Sequence, residues 1–315
     1  MRAENEGVFT VGWINRTRVR RVIAGAVAAA VLSVGFSGAA QAKEPGAYQR
    51  HVPKQEISVQ LFNFFTYIGT DSTPEAQARQ EEVLKTLSSY GYKNVEPVDY
   101  TKFQGLSAKQ YKKLLDKYKL RAASMHTSVS METTATQWRS AVSTAKTIGA
   151  KYIGAGADPR DFTTAEQWIA FAKKIDHFGA IARQQGLTYM VHSHDWEFKK
   201  VGKTTGYDLL QKYTKAKNVV FELDLYWATK AGVKPITLLR KYGERIKLLH
   251  VKDMAADGSI TTVGKGIIDF RPIFAAAGKG IKFYVIERDP PFDGSAYDPF
   301  KPTAQGLAYL QRVKY

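Results

Sequence analysis

Two histidines stand two positions apart in YMVHSHDWEF (189–198), and a glutamate follows three residues after the second. Imidazole and carboxylate groups spaced this closely can hold a divalent cation or move a proton. Taken alone, the stretch reads equally as a nucleic-acid patch or a polar loop after a strand. Three further segments end an apolar run with the same kind of side chain. They are Asp224 in VVFELDL, His250 with Lys252 in LLHVKD, and Glu287 in FYVIE. A carboxylate in such surroundings is expensive unless it is paired or metal-bound. Asp224 and Glu287 are therefore either salt-bridged to a lysine or ligands, and His250 is either a hydrogen-bonded core histidine or a third ligand.

The elements that must position these residues alternate along the chain from residue 57. Strand runs are expected at 57–64, 94–98, 121–127, 151–157, 187–194, 219–225, 246–253 and 281–289. Between them lie stretches with apolar residues at helical spacing. TQWRSAVSTAKTIGA, for example, starts after a threonine and ends at a glycine. Eight strands and eight helices in strict alternation, with continuously apolar strands, imply a parallel sheet covered on both faces. No strand leads into a G-x-G-x-x-G turn, which argues against an open dinucleotide-binding sheet. The expected fold is a closed (β/α)8 TIM barrel over 57–315.

Such barrels place their chemistry at the C-terminal ends of the strands. The polar residues there are Asn63, Glu96, His126, Asp158, His192 with His194, Asp224, His250 with Lys252 and Asp253, and Glu287 with Asp289. A His, Asp, His, Glu series on strands 5 to 8 is a mixed nitrogen and oxygen set that suits Mn²⁺, Zn²⁺, Co²⁺ or Fe²⁺. His192, Asp224, His250 and Glu287 are therefore the expected metal ligands. Glu197, His194, His126 and Lys252 are the acid and base candidates, and Glu96 and Asn63 the expected substrate contacts. His126 is expected across the barrel from strands 5 to 8, nearer substrate than metal. His51 and His177 read as structural or solvated. Gly154 and Gly156 in GAGAD admit either a close ligand or a tight turn, and Asp269 in VGKGIIDF reads as a helix N-cap with a weak anion-binding signal.

Residues 1–42 are set apart. Four arginines (Arg16, Arg18, Arg20, Arg21), an Ala/Gly-rich apolar run and Ala40–Ala42 read as an export signal, with Arg20–Arg21 hinting at the twin-arginine route. Residues 43–56 would then be an N-terminal extension, with no membrane anchor left after cleavage and the protein periplasmic or extracellular. The chain has no cysteine, which removes thiolate nucleophiles and Cys-bound zinc. The net charge is +17; the signal's five Arg and two Glu account for +3, leaving +14. The basic residues are scattered singly along helices, which fits a solvated surface better than nucleic-acid binding. A homo-oligomer is compatible with all of this.

Several motifs together resemble one family: YGYKNVEP, MHTS, VHSHDWEF, LDLYWATKAGVKP, LLHVKDM, VGKGIIDF and VIERD. The chain is similar to the xylose-isomerase-like barrels of the sugar phosphate isomerase/epimerase group, within a subgroup that carries H-x-H-x-x-E. The resemblance implies one divalent metal, manganese first with zinc, cobalt, iron or magnesium as alternatives, held by Asp224, His250 and Glu287. The fourth ligand stays open among His192, His194 and Glu197, because the epimerases carry a glutamate there. Trp227 stands where many of them have a second histidine, which alters the substrate contacts. The implied activity is isomerisation or epimerisation of a non-phosphorylated sugar or keto-sugar through a metal-stabilised enediolate. Two alternatives are a lyase or dehydratase acting on 3-keto-glycosides by β-elimination, and a non-catalytic sugar- or partner-binding barrel. A barrel nuclease needs more histidine and carboxylate ligands than this chain offers.

Overall fold

A computed structural model describes residues 48–99, 101–157 and 162–315. The expected export segment 1–42 and Asp158 lie outside the described residues. Seven parallel strands form one curled sheet: β1 (Ile57–Val59), β3 (Arg121–Ala122 continuing as Ser124–His126), β4 (Tyr152–Gly154), β5 (Thr188–His192), β6 (Val219–Asp224), β7 (Ile246–Val251) and β8 (Phe283–Ile286). Their spatial order is β1-β8-β7-β6-β5-β4-β3. β2 (Asn94–Val95) fills the gap between β3 and β1 and closes the ring. Glu96 N donates to Val59 O at 2.7 Å, and Ala123 N to Val95 O and His126 N to Pro97 O at 2.9 Å each. The ladder breaks after Val95 because Pro97 has no N–H to give, so beyond β2 the expected strand 94–98 continues only as bridges at Glu96 and Val98.

Helices follow each strand: α1 (Phe65–Ile68), α2 (Pro74–Tyr90), α3 (Ala108–Lys117), α4 (Ala135–Ile148), α5 (Ala165–Gln184), α6 (Gly206–Tyr213), α7 (Leu225–Lys230), α8 (Pro235–Tyr242), α9 (Phe270–Ala277) and α10 (Phe300–Arg312). The one-turn α1 and α7 are additions to the eight expected. Threonine caps begin α4 and α5, each closed into a capping box by a glutamine three residues on, as their sequences predict. The stretch before β1 is tied down rather than loose: Arg50 and Tyr315 exchange backbone hydrogen bonds of 2.9 and 2.8 Å.

Side-chain alternation along the strands divides the core in two. One face packs on the helices in a large apolar cluster that includes Tyr189, Phe221, Leu223, Leu249, Val251 and Ile286. The other face fills the barrel. Its lower layer is apolar, with Met190, Val220 and Leu248 packed together beside Tyr152 and Phe283. Two residues further along the same strands come His192, Glu222 and His250, all buried. One strand period therefore separates an oily floor from a charged mouth.

Gly154 decides how closely β4 and β5 can lie. Its φ is +150°, and a Cβ there would sit 2.0 Å from the Met190 carbonyl oxygen. A Cβ on Gly156 would come within 2.8 Å of His194 Nδ1. The GAGAD glycines thus serve packing against strand 5. Gly154→Ala is expected to destabilise the fold by roughly 2–4 kcal/mol, read as a lower denaturant midpoint at unchanged m-value; an unchanged midpoint would refute the close-packing argument.

Candidate metal centre

The strand register assembles the site. His192 lies opposite Glu222, and His250 opposite Asp224, in adjacent ladders. Lys252 and Glu287 each follow the end of their strand, where Val251 and Ile286 are paired. His192, Asp224, His250 and Glu287 consequently present one ligand atom each, all within 4.8 Å of one another and all buried. This is the set expected from the sequence. A second set shares two of its members and comprises His126, His192, Glu222 and His250.

Each set holds a carboxylate with one engaged and one free oxygen. Glu222 Oε2 meets His126 Nε2 at 2.8 Å, His192 Nδ1 at 3.2 Å and His250 Nε2 at 3.2 Å, while its Oε1 is buried without a hydrogen-bond partner. Asp224 uses Oδ1 to cap α7, accepting from Trp227 N at 2.8 Å, while its Oδ2 is buried without a hydrogen-bond partner. The nearest cations to Oδ2 are Lys252 Nζ at 3.6 Å and His250 Nδ1 at 3.9 Å. An orphaned carboxylate oxygen in a buried site is costly, and a cation in that place removes the cost. The donor set of two imidazoles and two carboxylates fits Mn²⁺, Zn²⁺, Co²⁺ or Fe²⁺. The chain's own residues could seat a divalent ion at Asp224 Oδ2, with His192, His250 and Glu287 around it.

Charge supports the same fit. Glu96, Glu222, Asp224, Glu287 and Asp289 converge here, while Lys252 is the one lysine in the cluster. Were all five carboxylates ionised, two negative charges would remain even with His126 and His250 both protonated. Burial, only partly offset by Lys252, pushes Asp224 up to about 7, and the neighbouring Glu287 adds to the rise. Burial also drives His192 down to about 3, helped by His250, so it is a neutral donor. His194 is held well below the usual histidine range by burial and then by His192 and Lys252. Burial disfavours charge on His250 and Lys252 too. For His250 the carboxylates of Glu222, Glu287 and Glu96 outweigh it, and for Lys252 those of Asp289, Glu287 and Asp224, so both are held above their ordinary values.

Several sequence expectations are revised. His126 does not lie apart from the cluster: its ring stacks on His250 at 5.3 Å and 1°, and its Nε2 is 3.1 Å from Glu96. Glu96, expected as a substrate contact, has its oxygens taken by Gln60 Nε2 (2.6 Å), His250 Nε2 (2.7 Å) and the Ser124 hydroxyl. It orients His250 from below, as carboxylates behind metal-binding histidines do. Asn63 accepts from Arg288 N at 2.9 Å and splices the ends of β1 and β8. Glu197 is fully buried and braces two loops, accepting from His194 N (2.8 Å) and Ala157 N (3.2 Å). Asp253 likewise gathers the VGKG loop, taking Gly264 N and Gly266 N at 2.9 Å each, so that loop's donors are already occupied. Asp269 caps α9 as expected. His194, Lys252 and Trp227 do sit together at the mouth: Lys252 Nζ lies 5.4 Å over the Trp227 ring, and His194 lies 5.7 Å from it. Glu222 was missed by reading only the last polar residue of VVFELDL, although period-2 alternation from Asp224 points to it.

Two outcomes follow from this geometry. Asp224→Ala is expected to lose stoichiometric divalent metal in elemental analysis, while Trp227→Phe keeps it; metal retained by Asp224→Ala would move the site to the Glu222 set. Burial raises Glu197 to about 8 against the pull of its backbone donors. A carboxylate raised on folding binds its proton more tightly in the native state, so its contribution is full at low pH. That contribution is lost as pH rises from the unfolded value to about 8, by about 1.4 kcal/mol per unit. Glu197→Gln should flatten that decline between pH 5 and 8 in chemical denaturation, and parallel curves would refute the assignment.

With the geometry in place, comparison with known proteins gives three findings. The family model for the xylose isomerase-like TIM barrel matches residues 84–312. Among curated proteins, an inosose dehydratase of Clostridium beijerinckii is 32% identical over 168 residues, covering 46% of this chain and 54% of that protein. One from Lacticaseibacillus casei is 26% identical over 175 residues, 49% and 57% respectively. The chain thus spans about half the length of the curated relatives it matches. Among solved structures, a sugar phosphate isomerase/epimerase from Parabacteroides distasonis aligns with a TM-score of 0.70 at 24% identity, over 82% of this chain and 94% of that one. An IolI protein with a bound zinc atom aligns with a TM-score of 0.59 at 15% identity, over 81% and 96%. At these identities the likeness of structure is one of fold.

Proposed function

We propose that this chain, which belongs to the xylose isomerase-like TIM barrel family, is a divalent-metal enzyme that dehydrates a sugar ketone or cyclic polyol ketone. The observation that carries the reading is the buried, unpartnered Asp224 Oδ2 among His192, His250 and Glu287. A divalent ion held there would supply a Lewis acid for the substrate carbonyl oxygen. The named inosose dehydratases among the relatives support the substrate class.

The protein's own groups favour loss of water over epimerisation. Epimerisation with two bases needs a proton acceptor on each face of the reacting carbon. Here the two groups at the mouth are unlike. His194 is kept neutral by burial and can take the proton beside the carbonyl. Lys252 is held charged by Asp289, Glu287 and Asp224 against its burial, so it donates hydrogen bonds rather than accepting a proton. Its ammonium stabilises the hydroxyl departing from the next carbon. Delivery of the proton from His194 to that hydroxyl completes the loss of water, with the C–H and C–O electron pairs accounted for by the new double bond and the leaving group. Trp227 forms the wall beneath Lys252. A strand-5 histidine at 192 removes the second glutamate that two-base epimerisation would use.

Metal-loaded protein incubated with an inosose in D₂O should give a product lighter by one water. Deuterium incorporated at the adjacent carbon without loss of water would instead assign an epimerase or isomerase, and no exchange and no product across a panel of keto-sugars would leave a binding protein. His194→Gln should lower kcat by about 10²–10⁴ while retaining its metal.

A further inference from the structure

Lys252 follows β7, and Glu287 and Asp289 follow the neighbouring β8, two positions apart. The lysine stands on the same oxygens that would hold the ion. Its Nζ lies 2.7 Å from Glu287 Oε2 and 3.6 Å from Asp224 Oδ2, and both residues belong to the expected ligand set. A divalent ion bonds a carboxylate oxygen at about 2.0–2.2 Å. On Glu287 Oε2 it would therefore be a near neighbour of the ammonium, and like charges repel strongly in a buried site. The ammonium and a divalent ion compete for these two oxygens.

Asp289 offers the lysine a second place. Its Oδ1 and Oδ2 lie 3.0 and 3.1 Å from Nζ, so the ammonium already bridges Glu287 and Asp289. Only Oδ2 accepts a hydrogen bond; Oδ1 is buried without one and has room for a better-aligned donor. Asp289 is outside the ligand set, and its side chain is 18% exposed where that of Glu287 is 6%. Turning the end of the lysine's flexible four-carbon stem is enough to move Nζ from one carboxylate to the other.

We propose that Asp289 is a positioning residue that receives the Lys252 ammonium when a divalent ion takes Glu287 and Asp224. Ion binding and lysine placement are then one event. The inference rests on the metal reading above and adds a role for Asp289, which lies two positions beyond the last ligand. Lys252 serves as a built-in counter-ion for Glu287 and Asp224, and the ion releases it to the position from which it meets the departing hydroxyl. A fixed counter-charge at 289 would act differently. It would favour the ion by the same factor whether or not the lysine is present.

Equilibrium titration of chelator-treated protein with Mn²⁺ and with Zn²⁺ separates the two without requiring turnover. Lys252→Met should bind the ion roughly tenfold or more tighter than the wild type, since no ammonium has to leave. Asp289→Asn should bind it roughly tenfold or more weaker, since the ammonium then stays on Glu287. Added to Lys252→Met, the Asp289→Asn change should alter affinity by less than about threefold, the non-additivity expected of coupled residues. An equal loss in both backgrounds, or no gain in Lys252→Met, overturns the proposal. Crystals of the wild type with and without the ion keep the question open to test if a variant fails to fold. In the loaded form Nζ should lie within hydrogen-bond distance of Asp289 and beyond about 3.5 Å from Glu287 Oε2. A lysine still bonded to Glu287 there overturns the proposal while the metal site stands, whereas a wild type that takes up neither ion rejects the metal site itself.

Discussion

Negative charge packed into a closed barrel is the constraint on which the site depends. Five carboxylates meet where little water can screen them, and Lys252 with two imidazoles answers only part of their charge. Each carboxylate is satisfied in a different way. Glu96 is saturated by Gln60, Ser124 and His250, whereas Glu222 gathers three imidazoles on one oxygen and leaves the other without a partner. Asp224 spends one oxygen on the start of α7 and leaves the other bare. The residual charge and the bare oxygen coincide, and that coincidence makes the upper part of the cluster a candidate cation site.

The barrel supplies the geometry through a single rule. On each parallel strand the inward residues recur every second position, so Val220, Glu222 and Asp224 rise in one column and Leu248, His250 and Lys252 in the next. The apolar members exclude water from below, which strengthens every electrostatic interaction above them. Closure by β2 brings Glu96 under His250 from the opposite wall, at 2.7 Å from Nε2.

Loops around the mouth are built to stay in place. Glu197 and Asp253 each turn a carboxylate inward to collect backbone N–H groups, one fixing the segment that carries His194 and the other fixing the loop after β7. Such internal braces hold reacting side chains near one geometry before substrate arrives. They also explain why polar residues close to the motif need not touch substrate.

The alternation of apolar strands with amphipathic helices was enough to read the barrel, because its period and its caps are local properties of the chain. Asp224, His250 and Glu287 were legible for a similar reason: a charged side chain ending an apolar strand has few cheap places to be. His192 was read with them from the same strand-end series, the resemblance left it open beside His194 and Glu197, and the register of β5 on β6 brings it into the cluster. What the chain alone left undecided was every role that depends on which neighbour arrives from a distant segment. Glu96 orients a histidine 154 positions away, Asn63 ties β1 to β8, His126 stacks on His250, and Glu197 supports the backbone at Ala157. Those assignments rest on partners more than a helix apart in sequence, and hydrogen-bond partnership across such distances is set by strand order and shear, which only tertiary structure specifies.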